Sequence, residues 1–227
     1  MKEEEVIILS KQCNFHAVKA SSLKLEASGR EYWRIIDADN NSMVLCYLNP
    51  SKGDHLNFIA ISKELIKNNI SCSKIVHHNK ALGVTIQHDL GDGDLLSILD
   101  EDNKNELLKS SLQMLSAIQN SSINNIDKFT KEELLGQMNL FKDAFCRNFL
   151  NVNVNSSIDN LITTTLNYLF EHPWVNCHFD FERRNLILDN KNELTVIDFQ
   201  DMRIGPIGID LAGILVGFWR GLCGGPV

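Results

Sequence analysis

Apolar residues recur with a period near two over the first ninety positions and near 3.6 after them. That change restricts the chain to an α+β fold in two parts. β-like runs at residues 22–27, 31–36, 43–48, 74–76 and 84–87 are separated by turn residues and predict a small antiparallel sheet. Between the third and fourth runs, Phe58, Ile61, Leu65 and Ile66 fall at helical spacing, predicting one helix across that sheet. After Asp89-Leu90-Gly91-Asp92-Gly93-Asp94 the helical stripes begin. Leu108, Leu112, Leu115 and Ile118 form the first, Leu134, Met138, Phe141, Phe145 and Phe149 the second, and Ile158, Leu161, Thr165 and Leu169 the third. The Gly/Asp-rich segment 89–94 reads as a hinge between an N-terminal lobe, residues 1–90, and a helical C-terminal lobe, residues 91–227. A cofactor is expected in the cleft between them.

Within the helical half, two short runs at 185–188 and 194–197 flank the turn-forming Asp189-Asn190-Lys191-Asn192 and predict a β-hairpin. Such a hairpin puts Asn185 at the start of one strand and Asp198 at the end of its partner, on one edge. Just upstream stand His178, Asp180 and Arg184, so an acid precedes Asn185 by five residues and a second acid, Asp198, closes an apolar run. Phosphoryl transfer needs this set: a carboxylate to accept the proton of an attacking hydroxyl, and an Asn with an Asp to hold Mg2+ on the phosphates of ATP. Asp180 is the expected base, Asn185 and Asp198 the expected metal ligands, and His178 a brace for the loop. Polar loop residues at the end of a hairpin are the bland alternative.

Composition narrows the partners. A net charge of −7 over 227 residues argues against a nucleic-acid binder, whose affinity comes from clustered Lys and Arg. The acidic N-terminus is followed by only four apolar residues, so neither a signal peptide nor a membrane span is expected there. Six cysteines without a C-x-x-C pair point to a reducing, cytoplasmic compartment. His77-His78 has no ligand pair at zinc spacing and reads as surface histidines in a polar connection. A small-molecule substrate follows; oligomeric state is not legible.

The segment from Asp198-Phe199-Gln200-Asp201 through Gly205-Pro206 to Asp210-Leu211 resembles the aminoglycoside phosphotransferase and choline kinase superfamily. Within it the chain is most similar to the bacterial anomeric kinases of N-acetylmuramate and N-acetylglucosamine, enzymes of cell-wall recycling. The loop from His178 to Asn185 fits their pattern, Arg184 included. Ala27-Ser28-Gly29-Arg30 resembles their nucleotide loop, and Gln87-His88-Asp89 their interlobe segment. The resemblance implies a protein-kinase-like fold and ATP- and Mg2+-dependent phosphorylation of a small molecule. Ser28, Gly29, Arg30, Gln87 and Asp89 would serve the nucleotide, and His178, Arg184, Asp201 and Asp210 structure or substrate. Physics alone reads Gly29 either as a close approach to phosphate or as a simple hairpin turn.

Cys46 stands where protein kinases carry a third-strand Lys, leaving Arg30 or Lys24 to neutralise phosphate. An amino sugar is the expected acceptor. An aminoglycoside- or choline-type kinase is the alternative if the site is acidic, and a pseudokinase is the alternative that Cys46 favours. The segment 207–219 is apolar nearly all round, which predicts a buried helix. Missing C-terminal helices are expected to cover it, so that the chain reads as truncated; the alternative is cover from the helices near 104–119 and 134–149.

Overall fold

The computed structural model describes residues 1–23, 29–124 and 126–222, with side chains through residue 218. It opens on a helix that periodicity does not reveal, α1 (Glu3–Gln12). Its start is chemical: Glu3, Glu4 and Glu5 oppose the helix dipole, and the Glu5 carboxylate accepts the Lys2 N–H at 2.7 Å.

A five-stranded antiparallel sheet follows in the order β1-β2-β3-β5-β4, from β1 (Ala17–Ser22), β2 (Glu31–Asp37), β3 (Ser42–Tyr47), β4 (Ile75–Asn79) and β5 (Val84–His88). The first strand lies upstream of the expected 22–27, and residues 24–28 of that run are outside the described residues. A bulge between Ala17 and Lys19 breaks the alternation by which the strand would be recognised. His77 and His78 sit on β4, opposite Ile86 and Thr85, and not in a connection; pairing with β5 extends that strand past the apolar run.

Register divides the sheet into two faces. Trp33, Ile35, Leu45, Val84 and Ile86 pack with Val6 of α1. The opposite face carries Tyr32, Arg34, Val44 and Gln87, with Arg34, Val44 and Gln87 in one cross-strand row. Helix α2 (Leu56–Lys67) was expected to cross the sheet. Its buried Phe58, Ile61 and Leu65 instead join the core of the helical lobe with Leu115, Ile118, Phe181, Phe199 and Ile214. Helical spacing identifies the buried side of α2 but not which neighbour it meets.

The helical lobe contains α3 (Leu95–Ile98), α4 (Lys104–Asn120), α5 (Lys131–Leu140), α6 (Ser156–Glu171) and α7 (Gly208–Leu222). Two antiparallel ribbons lie among them, β6 (Trp174–Cys177) with β9 (Arg203–Pro206), and the expected hairpin β7 (Leu186–Leu188) with β8 (Leu194–Val196). The second stripe does not stay buried. The backbone widens to π-helical winding over Phe141–Phe149, and Phe141, Phe145 and Phe149 stack on one another while exposed. The third stripe is offset by one residue: Ile162 and Leu166 are buried and Leu161 is exposed. In α7, Ile214 and Phe218 share a core with Leu115 and Ile118 of α4, whereas Leu211, Leu215 and Val216 are exposed. Cover for one side of this helix thus comes from within the chain. No helix among the described residues is long and apolar enough to cross a membrane.

Candidate active site

The loop after β6 is held from below. Asp210, in the first turn of α7 and almost wholly buried, accepts the backbone N–H of His178 at 2.6 Å and of Phe179 at 2.8 Å. Burial pushes its carboxyl up, against the opposing pull of the His178 N–H. Phe179 has φ +69°, a left-handed conformation that a bulky residue keeps only when its surroundings impose it. Gly205 of β9 makes room for the Phe179 ring, since a Cβ there would stand 2.5 Å from Cζ.

His178 then ties this loop to the segment after β8. Its Nε2 lies 2.9 Å from the Ile197 carbonyl, which can only accept, so Nε2 carries the proton and Nδ1 accepts the Asp180 N–H at 3.3 Å. The ring thereby links the two segments. Asn185, buried, donates through Nδ2 to the Asp180 carbonyl and to its Oδ2, both at 2.9 Å. The Ile197 N–H donates to the Asn185 carbonyl at 3.0 Å, which sets Asp198 beside Asn185. Asp198 itself has φ +60° and accepts from Gln200 Nε2.

Asp180, Asn185 and Asp198 all line one cleft of about 670 Å³, together with Gln87, Asp89, Arg184 and Asp201. That size suits a small molecule. Six aspartates (Asp89, Asp92, Asp94, Asp180, Asp198, Asp201) face two arginines, Arg34 and Arg184, across this lining. The excess of negative charge calls for cations on whatever binds there. Arg184 is paired with Glu182 at 2.5 Å, and burial, then Asp180, raises the Glu182 carboxyl.

Gln87 is buried with its Oε1 unpartnered. Gly29 has φ +75° and open space beyond its Cα, while Ser28 lies outside the described residues. Arg30 is not brought to the cleft lining; its charge is felt instead by His55, the residue that precedes α2. Cys46 is fully buried, opposite Tyr32 and Thr85. Cys177 is no nucleophile: burial, followed by the Asp210 charge, pushes its thiol up to about 12.

Sequence reasoning missed two groups. Arg34 lies in the cleft, engaged by Asp89 and Asp92. Nothing in the strand names its two carboxylates, which lie 55 and 58 residues away. The second group joins α2 to the Asp198 segment: Asn57 Nδ2 donates to the Gln200 carbonyl at 2.6 Å, and Phe58 stacks on buried Phe199 at 4.8 Å. Nothing local in the sequence announces that contact.

Comparison with known proteins identifies the fold and the family. Over 199 residues the chain is 27% identical to the N-acetylmuramate/N-acetylglucosamine kinase of Neisseria meningitidis serogroup B, covering 84% of this chain and 59% of that protein. The chain therefore spans less than two thirds of that relative's length. The structure of spectinomycin phosphotransferase APH(9)-Ia, in complex with ADP and spectinomycin, superposes with a TM-score of 0.71 at 16% identity, covering 100% of this chain and 81% of that one. Choline kinase LicA from Streptococcus pneumoniae gives 0.70 at 11% identity, covering 95% and 74%. At these identities the likeness is one of fold, the two-lobed kinase-like architecture. The model of the phosphotransferase enzyme family, APH, matches residues 19–224, and with most of its length so matched the chain belongs to that family.

Proposed function

We propose that this chain binds ATP with Mg2+ in the interlobe cleft and transfers the terminal phosphoryl group to a hydroxyl of a small molecule. An amino sugar such as N-acetylmuramate or N-acetylglucosamine is the first choice. The observation that carries the reading is the convergence of Asp180, Asn185 and Asp198 on one cleft, with Asp180 pinned by Asn185. Asp180 accepts the proton of the acceptor hydroxyl, and the His178 brace holds the loop that presents it. The relative at 27% identity supports the amino-sugar choice.

The donors suit magnesium: Asp198 offers carboxylate oxygen and Asn185 an amide oxygen, and hard oxygen ligands with few protein contacts are what that ion takes when phosphates complete its shell. When bound, the ion supplies charge stabilisation on the transferring phosphoryl group. Asn185 would turn its amide from Asp180 to present oxygen. Residues 1–90 act as the nucleotide lobe and 91–227 as the acceptor lobe, in a cytoplasmic setting that the buried free thiols support.

The acidic lining supports a second reading, a cationic acceptor of the aminoglycoside or choline type. Two variants test the proposal. Asp180→Asn should lower kcat by roughly 10²- to 10⁴-fold while ADP binding survives, and Asp198→Ala should abolish the magnesium dependence of ADP binding. Full turnover by Asp180→Asn would refute the assigned base. Failure of the unaltered protein to bind Mg-ADP would leave the binding-module reading in its place.

A further inference from the structure

Arg34 donates four hydrogen bonds to two carboxylates of the interlobe linker. Its Nε and Nη2 grip both oxygens of Asp89, at 2.6 and 3.1 Å, while Nη1 and Nη2 grip both oxygens of Asp92, at 3.0 and 2.8 Å. The two carboxylates belong to different sides of the linker. Asp89 directly follows β5, and the Ser42 hydroxyl of β3 also donates to it, so it moves with the sheet. Asp92 lies beyond Gly91, whose φ of +85° and N–H bond to Asp89 make the turn. The next residues are fastened to β7, which directly follows Asn185: the Leu188 N–H donates to the Gly93 carbonyl at 2.9 Å, and Asp94 bridges to Ile187. Rotation at Gly91 changes the separation of Asp89 and Asp92, which one planar guanidinium can span only at a fixed distance.

We infer that Arg34 is a positioning residue that sets the angle between the lobes, with the Asp89 arm permanent and the Asp92 arm the one that releases. Burial separates the arms. The Asp89 side chain is 10% exposed, so its grip is shielded from salt, whereas that of Asp92 is 80% exposed and its grip is screened. One positive charge between two negative ones also leaves the cluster unbalanced, and the exposed acid is the cheaper one to let go. Because Asp94 and the 186–188 strand follow immediately, the lobe angle is passed to Asn185 and its neighbour Asp198. For turnover the inference rests on the proposed nucleotide site; as a statement about lobe geometry it does not.

The test uses the full chain with Cys223→Ser and spin labels at Lys19→Cys, on exposed β1, and Asn160→Cys, on exposed α6. The parent should give one narrow interlobe distance distribution in low salt that broadens in high salt. Asp92→Asn should be broad in both, at unchanged thermal stability. Arg34→Lys should resemble Asp92→Asn, and combining the two should add nothing further. A parent distribution indifferent to salt, or Asp92→Asn matching the parent, overturns the inference whether or not nucleotide binds. If the nucleotide reading also holds, Asp92→Asn raises the KM for ATP by about two- to fivefold and the salt dependence of that KM disappears.

Discussion

Removing the Asp210 carboxylate tests how the 178–185 loop is held. Asp210→Ala leaves the N–H groups of His178 and Phe179 without their acceptor in a site where Asp210 is 1% exposed. An unpaired buried amide costs about 1–3 kcal/mol, so the pair costs about 2–6. Part returns, because burial already holds the Asp210 carboxyl above its ordinary range and the charge no longer has to be kept from water. We expect a net loss of about 2–4 kcal/mol in urea unfolding. Activity falls for a separate reason. Phe179 at φ +69° stores about 1–2 kcal/mol, and once its N–H is unbound the loop relaxes and turns Asp180 away. The competent arrangement is then depleted about 5- to 30-fold, which appears in kcat. The KM for nucleotide should stay within about twofold, since Asp198 and the linker are untouched. Asp210→Asn, whose amide oxygen still accepts one of the two bonds, should fall between. Unfolding within about 0.5 kcal/mol of the parent, together with unchanged kcat, would refute the reasoning.

Gly205→Ala should cost about 1–3 kcal/mol and lower kcat, because the added Cβ meets a Phe179 ring already packed at a tilt against Phe129, 4.3 Å between centroids. Gly208→Ala, with nothing within 4 Å of its Cβ in the first turn of α7, should stabilise by about 0.4–1 kcal/mol, and chemical denaturation of both reads the contrast. Glu133 is held down to about 2, from an ordinary value of 4.5, first by the Arg203 guanidinium and then by the Thr130 N–H. A depressed carboxyl stabilises the fold above its unfolded pKa and loses that contribution as pH falls through the folded value. The melting-temperature difference between parent and Glu133→Gln should therefore be present near neutrality and vanish between pH 4.5 and about 2. Its persistence in acid would sever the effect from the Arg203 pair.

The candidate site was legible as a motif because its residues are close in sequence. Asp180 and Asn185 are five residues apart on one loop, and the hairpin of β7 and β8 returns the chain so that the Ile197 N–H donates to the Asn185 carbonyl just before Asp198. The change of hydrophobic period likewise separates sheet from helices, since each backbone imposes its own repeat on the buried face. Periodicity, however, says only that a face is buried, not by what. It could not show that α2 packs on Phe199 and not on the sheet, nor that the π-wound 141–149 segment leaves its phenylalanines exposed. The partners of Arg34 and of Asp210 needed the tertiary structure. Arg34 lies 55 and 58 residues from its two carboxylates, and Asp210 lies 31 and 32 from the amides it holds. A lone charged residue in a strand or helix carries no periodic signature of its partner, so only the folded chain, by excluding water from these sites, decides which opposite group it must meet.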